Sequence, residues 1–362
     1  MRVHQITAGL AYGDAISNHI VEIDRRLKQW GIESHIYAEN VDPRMAHLGS
    51  LDYKYVPFME NTEDLLIYHY SIYSSTMKFY LESRNRKVVD YHNITLPHFF
   101  HGYDASLAQA CRLGRSLLPK FQDCEMILAD SEFNRQELVA AGIPAGRTKV
   151  LPIFLRLDDF ASVKRNETLY RRLKADGTAN ILFVGRVTPN KAFEDLLKVF
   201  AIYHRDVNSY SRLILVGARS LPRYNQVLDA LLARLGLEDA VVFTGHVTFR
   251  DLKTYYEAAD LFLCTSHHEG FCVPLLEAMY FDLPVLARAE TSVPYTLGNA
   301  GVMYHKLDHA ILAEMVQLLL EDPDLRTQVL AGQRRRLEAF APECVELLLR
   351  DILRDIGISV RE

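Results

Sequence analysis

Short apolar runs alternate along the first half of the chain with segments whose apolar positions recur every three to four residues. The runs predict strands at residues 2–7, 34–37, 65–69, 87–91 and 126–129. The helical spacing predicts a helix that begins near Asp14 and ends at Gly31, and further helices at residues 76–83, 105–118 and 132–141. This alternation is typical of an α/β domain in which helices cover both faces of a parallel sheet.

The second half repeats the same pattern. It predicts strands at residues 181–184, 213–216, 241–244, 261–264 and 284–287, with helices between them that include residues 193–204 and 223–235. The polar stretch 158–178 separates the halves, and we place the linker near residues 156–159. The pattern therefore predicts two doubly wound domains, residues 1–157 and 158–342, followed by a terminal helix with apolar positions Val345, Leu348, Leu349 and Ile352.

Composition narrows the class of protein. A chain of 362 residues is long enough for two domains, and its hydrophobic fraction of 49% is that of a globular protein. The formal net charge of −5 argues against a dedicated nucleic-acid binder. Five cysteines without a C-x-x-C pair favour reduced thiols. Because the N-terminus has the pattern of a strand and no apolar run approaches membrane-spanning length, we expect a cytoplasmic protein.

The stretch from His268 to Met279 carries the strongest chemical signal. Two glutamates, Glu269 and Glu277, lie eight residues apart around a predicted helix start at Pro274. The peptide N–H groups of Phe271, Cys272 and Val273 precede this helix and predict an anion site, and Gly270 beside them is a further candidate for binding the substrate. Carboxylates accept hydrogen bonds from sugar hydroxyls. An anion site between two carboxylates that accept hydrogen bonds from hydroxyls fits a nucleotide-sugar, in which a diphosphate joins two hydroxylated sugars.

This stretch, Glu-Gly-Phe-x-x-Pro-Leu-Leu-Glu-Ala-Met, resembles the E-x7-E motif of the retaining glycosyltransferases of family 4. The resemblance implies a GT-B fold, in which two Rossmann-like domains face a cleft and the second binds the nucleotide-sugar donor. It also implies that the terminal helix, residues 343–362, crosses back onto the first, acceptor-binding domain. Periodicity alone leaves open whether that helix packs on its own domain.

A second motif, Gly185-Arg186-x-x-x-x-Lys191, follows the predicted strand 181–184. Ligands bind at such strand ends in open α/β sheets, and arginine and lysine suit a diphosphate. The motif is similar to the Gly-Arg-x-x-x-x-Lys element of family 4, whose arginine and lysine hold the departing diphosphate. One departure is that Ala192 stands where the family usually has glycine.

Three weaker signals follow other strands. His92 comes after strand 87–91, and the resemblance assigns such a histidine to donor-sugar contact or proton handling. Gly13 closes a glycine-bearing loop before the first helix, a turn suited to phosphate. Val247 follows strand 241–244 and would cover the nucleotide base. The catalytic set predicted from the sequence is therefore His92, Glu269, Arg186 and Lys191, with Glu277 as a binder of the nucleotide.

The predicted activity is metal-independent transfer of a hexose, with retention, from a UDP- or GDP-linked donor to a glycan, lipid-linked or small-molecule acceptor. No metal ion or cofactor is expected, because Arg186, Lys191 and the helix start after Gly270 supply the positive charge that the departing diphosphate needs. Basic residues on the helix 105–118 leave peripheral membrane contact open.

A nucleotide-sugar epimerase and an inactive nucleotide-sugar-binding protein are the alternatives to the predicted transferase. A dehydrogenase is disfavoured because the chain has no G-x-G-x-x-G fingerprint. The sequence does not indicate the oligomeric state.

Overall fold

A computed structural model of the protein describes residues 1–48, 51–52 and 60–360. The chain forms two compact units. The first comprises Met1–His98, Ser106–Leu155 and Phe340–Glu362, and the second comprises Phe99–Ala105 and Arg156–Ala339. The chain passes from the first unit to the second between Leu155 and Arg156, next to the linker predicted near residues 156–159.

Strands and helices alternate along both units. The strands are β1 (Val3–Leu10), β2 (Ser34–Val41), β3 (Leu51–Asp52), β4 (Leu65–Tyr70), β5 (Arg86–Tyr91), β6 (Met126–Ala129), β7 (Thr148–Val150), β8 (Ala179–Val184), β9 (Ser211–Val216), β10 (Val241–Gly245), β11 (Leu261–Cys264), β12 (Val285–Arg288) and β13 (Val302–Tyr304). The helices are α1 (Ala15–Gln29), α2 (Thr76–Glu82), α3 (Ala105–Ser116), α4 (Glu132–Ala140), α5 (Leu157–Ser162), α6 (Glu167–Lys174), α7 (Phe193–Ile202), α8 (Pro222–Leu235), α9 (Phe249–Ala258), α10 (Val273–Tyr280), α11 (Val293–Leu297), α12 (His309–Glu321), α13 (Pro323–Glu338) and α14 (Pro342–Asp355).

Each unit contains one parallel sheet. The first has the strand order β3-β2-β1-β4-β5-β6-β7, and the second has the order β10-β9-β8-β11-β12-β13. Central strands such as β4 are buried along their whole length, as expected for a sheet covered on both faces. In both sheets the strand order reverses beside the first strand, between β1 and β4 and between β8 and β11. Ligands of doubly wound folds bind at the carboxyl ends of the strands at such a reversal.

The last helix, α14, belongs to the core of the first unit. Val345, Leu349 and Ile352 share one buried apolar cluster with residues of β1 and α1, among them Val3 and Leu27. Leu348, which the periodicity placed on the same apolar face, is 41% exposed, so that part of the prediction was wrong. Burial of the face formed by the other three positions attaches the chain's end to the unit in which the chain begins.

The polar stretch 158–178, predicted as a separator, contains two helices. α6 buries Leu169 and Leu173 on one face, while its other positions are mainly charged. A helix this short offers only two apolar positions, too few for its period to be recognised in the sequence. The short strands β7 and β13 were missed for the same reason. No helix in the described ranges combines the length and the apolar character needed to cross a bilayer.

Candidate functional site

The two strongest sequence motifs follow the strands beside the reversal in the second sheet. Arg186 and Lys191 lie in the loop after β8, and Glu269 lies in the loop between β11 and α10. β8 and β11 pair directly, through Leu261 opposite Ile181 and Phe262 opposite Leu182. The carboxyl ends of these parallel strands therefore place both motifs at the same edge of one sheet.

The loop after β8 carries two cationic side chains in different surroundings, the exposed Arg186 and the ion-paired Lys191. Arg186 is exposed, and within the described residues its guanidinium has no ion pair or hydrogen bond. Lys191 lies at the end of a short turn and is followed by Ala192, which has φ 52° and ψ 50° and directly precedes α7. Glycine adopts this left-handed conformation more easily than alanine, so alanine at this position carries a backbone cost that glycine would not.

The loop after β11 also enters its helix through a left-handed residue. Cys272 has φ 69° and ψ 63° and precedes α10, with Pro274 in the first turn as predicted. The first N–H groups of a helix lack partners within the helix. The N–H groups of Cys272 and Val273 belong to this helix start. The preceding residue, Phe271, is fixed through its carbonyl, which accepts a hydrogen bond from the Thr296 hydroxyl. The geometry is that of an anion site at the start of a helix.

Asn190 fastens the two loops together. Its carbonyl accepts the N–H groups of His267 (2.9 Å) and His268 (3.1 Å), and its side-chain amide donates to the carbonyl of His268 at 3.0 Å. The residue is 5% exposed. Asn190 occupies the last unspecified position of the motif Gly185-Arg186-x-x-x-x-Lys191 and received no predicted role, because the sequence does not show which backbone groups its amide would meet. These three hydrogen bonds fix the neighbouring residue, Lys191, against the loop that carries Glu269.

Lys191 and Glu269 form an ion pair across the two loops. The Nζ atom of Lys191 lies 2.5 Å from Oε2 of Glu269, and the two side chains are 19% and 7% exposed. The N–H of Glu269 donates to the Thr291 hydroxyl at 2.9 Å, which fixes its backbone. An approaching diphosphate can share the ammonium group of Lys191, because lysine carries three donors. Sequence spacing predicted both residues but not their contact.

Glu277 occupies the second turn of α10 and is partly buried. Its Oε2 atom accepts a hydrogen bond of 2.6 Å from the Tyr256 hydroxyl. Burial raises the pKa of Glu277 to about 7, although the bond from Tyr256 opposes that effect. A ligand whose hydroxyls donate to this carboxylate stabilises the ionised form and lowers the pKa again.

Nucleotide affinity should therefore depend on pH near neutrality. If ribose hydroxyls bind ionised Glu277, binding of UDP releases a proton below pH 7, and affinity rises by about tenfold from pH 6 to pH 8. Calorimetry in buffers of different ionisation enthalpy measures both effects. The Glu277→Gln variant is the control, because it keeps an acceptor for Tyr256 but cannot titrate. An equal pH dependence in both proteins would show that only the nucleotide's own phosphate is titrating.

Three glycines follow three neighbouring strands of the second sheet. Gly185 follows β8, Gly217 follows β9 and Gly245 ends β10, and the N–H of Gly217 donates to the carbonyl of Gly245 at 3.1 Å. A Cβ atom on Gly217 would lie 1.9 Å from the carbonyl oxygen of Gly185. Gly217 was missed in the sequence, although the repeated pattern of an apolar run followed by glycine could have indicated it. Val247, predicted to cover the base, lies partly buried between β10 and α9.

His92 follows β5 in the first unit, as predicted, but its side chain is fully buried. Its Nδ1 atom lies 2.9 Å from Oδ1 of Asp130, and its Nε2 atom lies 3.0 Å from Nδ1 of His69. Burial lowers the pKa of His92, but the carboxylates of Asp130 and Asp90 outweigh burial and raise it to about 9. Since both ring nitrogens have protein partners, this orientation does not favour the predicted contact with a donor sugar, which stays a prediction.

The turn that contains Gly13 differs from the predicted phosphate loop. Gly13 is exposed and has φ 76°, so it does supply the expected backbone freedom. The next residue, Asp14, caps α1, and its carboxylate accepts the N–H of Ser17 at 3.0 Å. A carboxylate at a helix start takes the place that an anion would occupy and repels it. This turn is less suited to phosphate than the start of α10.

Two other charged features of the sequence have structural partners. The chain contains one Asp-x-Asp triplet, Asp322-Pro323-Asp324, and the Asp322 carboxylate caps α13 by accepting the N–H groups of Asp324 and Leu325. Arg115, on the basic helix considered for membrane contact, pairs with Glu137 at 2.6 Å and donates to a backbone carbonyl. Asp322 therefore has a capping role, and Arg115 is held by an ion pair, while membrane contact by this helix stays a prediction.

Comparison with known proteins places this geometry in context. Residues 165–336 match the model of a family described as Glycosyl transferases group 1, which covers a little less than half of the chain. The crystal structure of Anabaena HepE in complex with UDP-glucose superposes with a TM-score of 0.73, covering 98% of this chain and 100% of that one at 19% identity. The chain has the GT-B fold. The two Rossmann-like domains predicted from the sequence are confirmed.

Two curated relatives of this GT-B chain are named glycosyltransferases. The O-antigen chain mannosyltransferase B of Escherichia coli is 29% identical over 252 residues, which are 67% of this chain and 64% of that protein. The D-inositol 3-phosphate glycosyltransferase of Geodermatophilus obscurus is 31% identical over 232 residues, which are 61% of this chain and 50% of that protein. The chain thus spans between half and two thirds of the length of these relatives.

Proposed function

We propose that the protein is a glycosyltransferase that moves a hexose from a nucleoside-diphosphate sugar to an acceptor hydroxyl. In this proposal the anomeric configuration is retained and no metal ion acts at the reacting centre. The relatives that transfer mannose and modify inositol 3-phosphate support the reaction class. The neighbour that holds UDP-glucose supports a nucleotide-sugar donor. The acceptor is a glycan, a lipid-linked sugar or a small molecule.

One observation carries the proposal. Arg186, Lys191, Glu269 and the start of α10 lie together at the carboxyl ends of β8 and β11, where the strand order reverses. Two cations and a helix N-terminus make a site for a diphosphate. The carboxylates of Glu269 and Glu277 beside it provide acceptors for the hydroxyls of the hexose and the ribose.

The main chemical task of this site is to stabilise the leaving nucleoside diphosphate. Cleavage of the bond between the sugar and the phosphate leaves extra negative charge on the phosphate oxygens. Fixed positive groups aimed at that charge lower the barrier, because they need no reorganisation during the reaction. Arg186 is open to the ligand, and Lys191 is held in place by Glu269 at 2.5 Å.

Retention follows if the acceptor attacks the face from which the diphosphate departs. The departing phosphate oxygen then takes the acceptor proton, so no protein carboxylate forms a covalent bond to the sugar. Glu269 binds hydroxyls, and the ammonium group of Lys191 bridges Glu269 and the diphosphate when the donor is bound. His92 is left out of this contact set, because both of its ring nitrogens have protein partners.

The product's stereochemistry tests the proposal. We expect the protein to consume a UDP- or GDP-linked α-hexose and to give an α-linked product, which proton NMR recognises by its anomeric coupling. The rate should be unchanged in excess EDTA. A β-linked product would contradict retention, and activity that EDTA abolishes and Mn²⁺ or Mg²⁺ restores would contradict the metal-free centre. Nucleotide binding without turnover of any sugar would instead indicate the inactive binding protein.

A further inference from the structure

Two cysteine side chains lie beside the proposed diphosphate site, and the proposed reaction uses neither thiol. Cys264 ends β11 and is fully buried, while Cys272 directly precedes α10 and is 7% exposed. Both are free thiols. The two Sγ atoms and a carboxylate oxygen of Glu269 all lie within 4.8 Å of one another. The pair therefore connects the end of a strand with the start of the helix whose N–H groups form the anion site.

The surroundings of the two sulfurs give them different reactivity. The hydrogen bond from the Cys272 thiol lowers the pKa of Cys264, although burial opposes this effect. The Sγ atom of Cys264 also lies 3.4 Å from the hydroxyl oxygen of Ser266. The thiolate form of a cysteine is the nucleophile that attacks an oxidant, and a second thiol within reach converts the product into a disulfide. Cys264 is thus suited to attack, and Cys272 to complete the disulfide.

We propose that Cys264 and Cys272 form a reversible disulfide when the protein meets hydrogen peroxide, and that this disulfide lowers transferase activity. The Cys264 thiolate first attacks a peroxide oxygen, the O–O bond breaks, and the released hydroxide takes up a proton to give water. The Cys272 thiol then attacks the sulfur of the resulting sulfenic acid, the S–O bond breaks, and a second water leaves. Each sulfur loses one electron, and the peroxide accepts both.

The chain between the two cysteines links the disulfide to the site. Residues 265–271 carry Glu269, and the Thr265 hydroxyl donates to the carbonyl of Ala192 at 3.0 Å, which fixes the end of β11 against the loop after β8. A disulfide requires the two sulfurs at bonding distance, so the adjustment falls on Cys272. Its left-handed φ of 69° turns the chain into α10. Closure of the disulfide therefore shifts the N–H groups of the anion site.

Such a shift should affect catalysis strongly. Displacement of a positioning group by about 1 Å lowers reaction rates by up to about 10²-fold. The carboxylate of Glu269, which pairs with Lys191, lies against the same two sulfurs. The effect on turnover rests on the proposed function, whereas formation of the disulfide does not.

Mass mapping of the full-length protein tests whether the pair forms. Trypsin cleaves after lysine and arginine, and it leaves both cysteines on one peptide, residues 254–288. Reduced wild-type protein is treated with hydrogen peroxide, and the remaining thiols are alkylated in denaturant. We expect this peptide to become lighter by two hydrogens and to escape alkylation until dithiothreitol is added. A disulfide to another cysteine, or an unchanged peptide while the exposed Cys344 is oxidised, would overturn the proposal.

Turnover of a nucleotide-sugar is followed in the same samples. Wild-type turnover should fall at least about tenfold as the disulfide forms, and dithiothreitol should restore it. Cys264→Ser removes the attacking sulfur, so its peptide should keep both hydrogens and its turnover should stay close to that of its own untreated sample. Cys344→Ser, which removes an exposed thiol of α14, is the matched control and should respond as the wild type does.

The remaining outcomes separate the disulfide from the transferase reaction. An equal and reversible loss of turnover in Cys264→Ser would show that oxidation of Cys272 alone is responsible, and would overturn the pair. A wild-type disulfide that leaves turnover unchanged would overturn the effect on activity. A mapped disulfide in a protein that consumes no nucleotide-sugar would support the pair and count against the proposed function. If Cys264→Ser fails to fold, the mapping of the wild type still decides whether the disulfide forms.

Discussion

Replacing Lys191 or Arg186 by alanine should lower turnover of a nucleotide-sugar donor by about 10²-fold or more, the scale for loss of a fixed charge stabiliser. The reason is that both cations lie in the loop after β8, and β8 pairs with β11, the strand that leads into α10, where the leaving diphosphate is expected to gain charge. Turnover is measured under saturating donor with folding checked by circular dichroism. Arg205→Ala is the matched control, because Arg205 is 72% exposed in the same unit and pairs only with the neighbouring Asp206 among the described residues.

The ion pair between Lys191 and Glu269 allows a sharper test. Lys191→Ala leaves the carboxylate of Glu269 buried without its 2.5 Å partner, so a loss of activity alone could reflect disturbed structure. The double variant Lys191→Ala/Glu269→Gln removes that unpaired charge. We expect the double variant to regain stability but not turnover. Recovery of turnover would contradict a direct contact between Lys191 and the diphosphate.

Gly217→Ala should destabilise the second unit by about 3 kcal/mol or more, because backbone strain and overpacking combine there. Gly217 has φ 154°, and an added Cβ would meet the carbonyl oxygen of Gly185 at 1.9 Å and its carbon at 2.6 Å. The obstacle is backbone, so no side-chain rotation relieves it. In a unit of this size, such a loss corresponds to a fall in melting temperature of about 6 °C or more.

Gly102→Ala is the matched control for this substitution. Gly102 belongs to the same unit and has no left-handed φ, and a Cβ atom added there would meet no described atom within 4 Å beyond its chain neighbours. Its replacement should leave the melting temperature within about 1–2 °C of the wild type, as for a surface change away from such features. Equal melting temperatures for the two variants would show that β8 and β9 can separate without cost. Any shift of Gly185 would also move Arg186, so turnover should fall as well.

Most of the fold could be read from local pattern, because a buried parallel strand and an amphipathic helix each leave a periodic signature. The predicted strands 126–129 and 261–264 are β6 and β11 to the residue, and the other predicted strands agree with the structure to within about four residues at either end. The failures are elements with few apolar positions, such as α6 with Leu169 and Leu173. Leu348 shows the opposite error, since an apolar residue at helical spacing is nevertheless exposed.

For the candidate site, the sequence by itself determined the residue types and their position after strands. Arg186, Lys191, Glu269 and Glu277 lie where their motifs placed them, because strand, turn and helix start are local properties. The tertiary structure alone decided which atoms meet. The pairing of Lys191 with Glu269 joins residues 78 positions apart, and the contact of His92 with Asp130 joins residues 38 apart. The spacing of residues along the chain determines which side chains follow a strand. Strand order and packing determine which other side chains they contact, and for His92 these contacts hold its ring in the interior of the first unit.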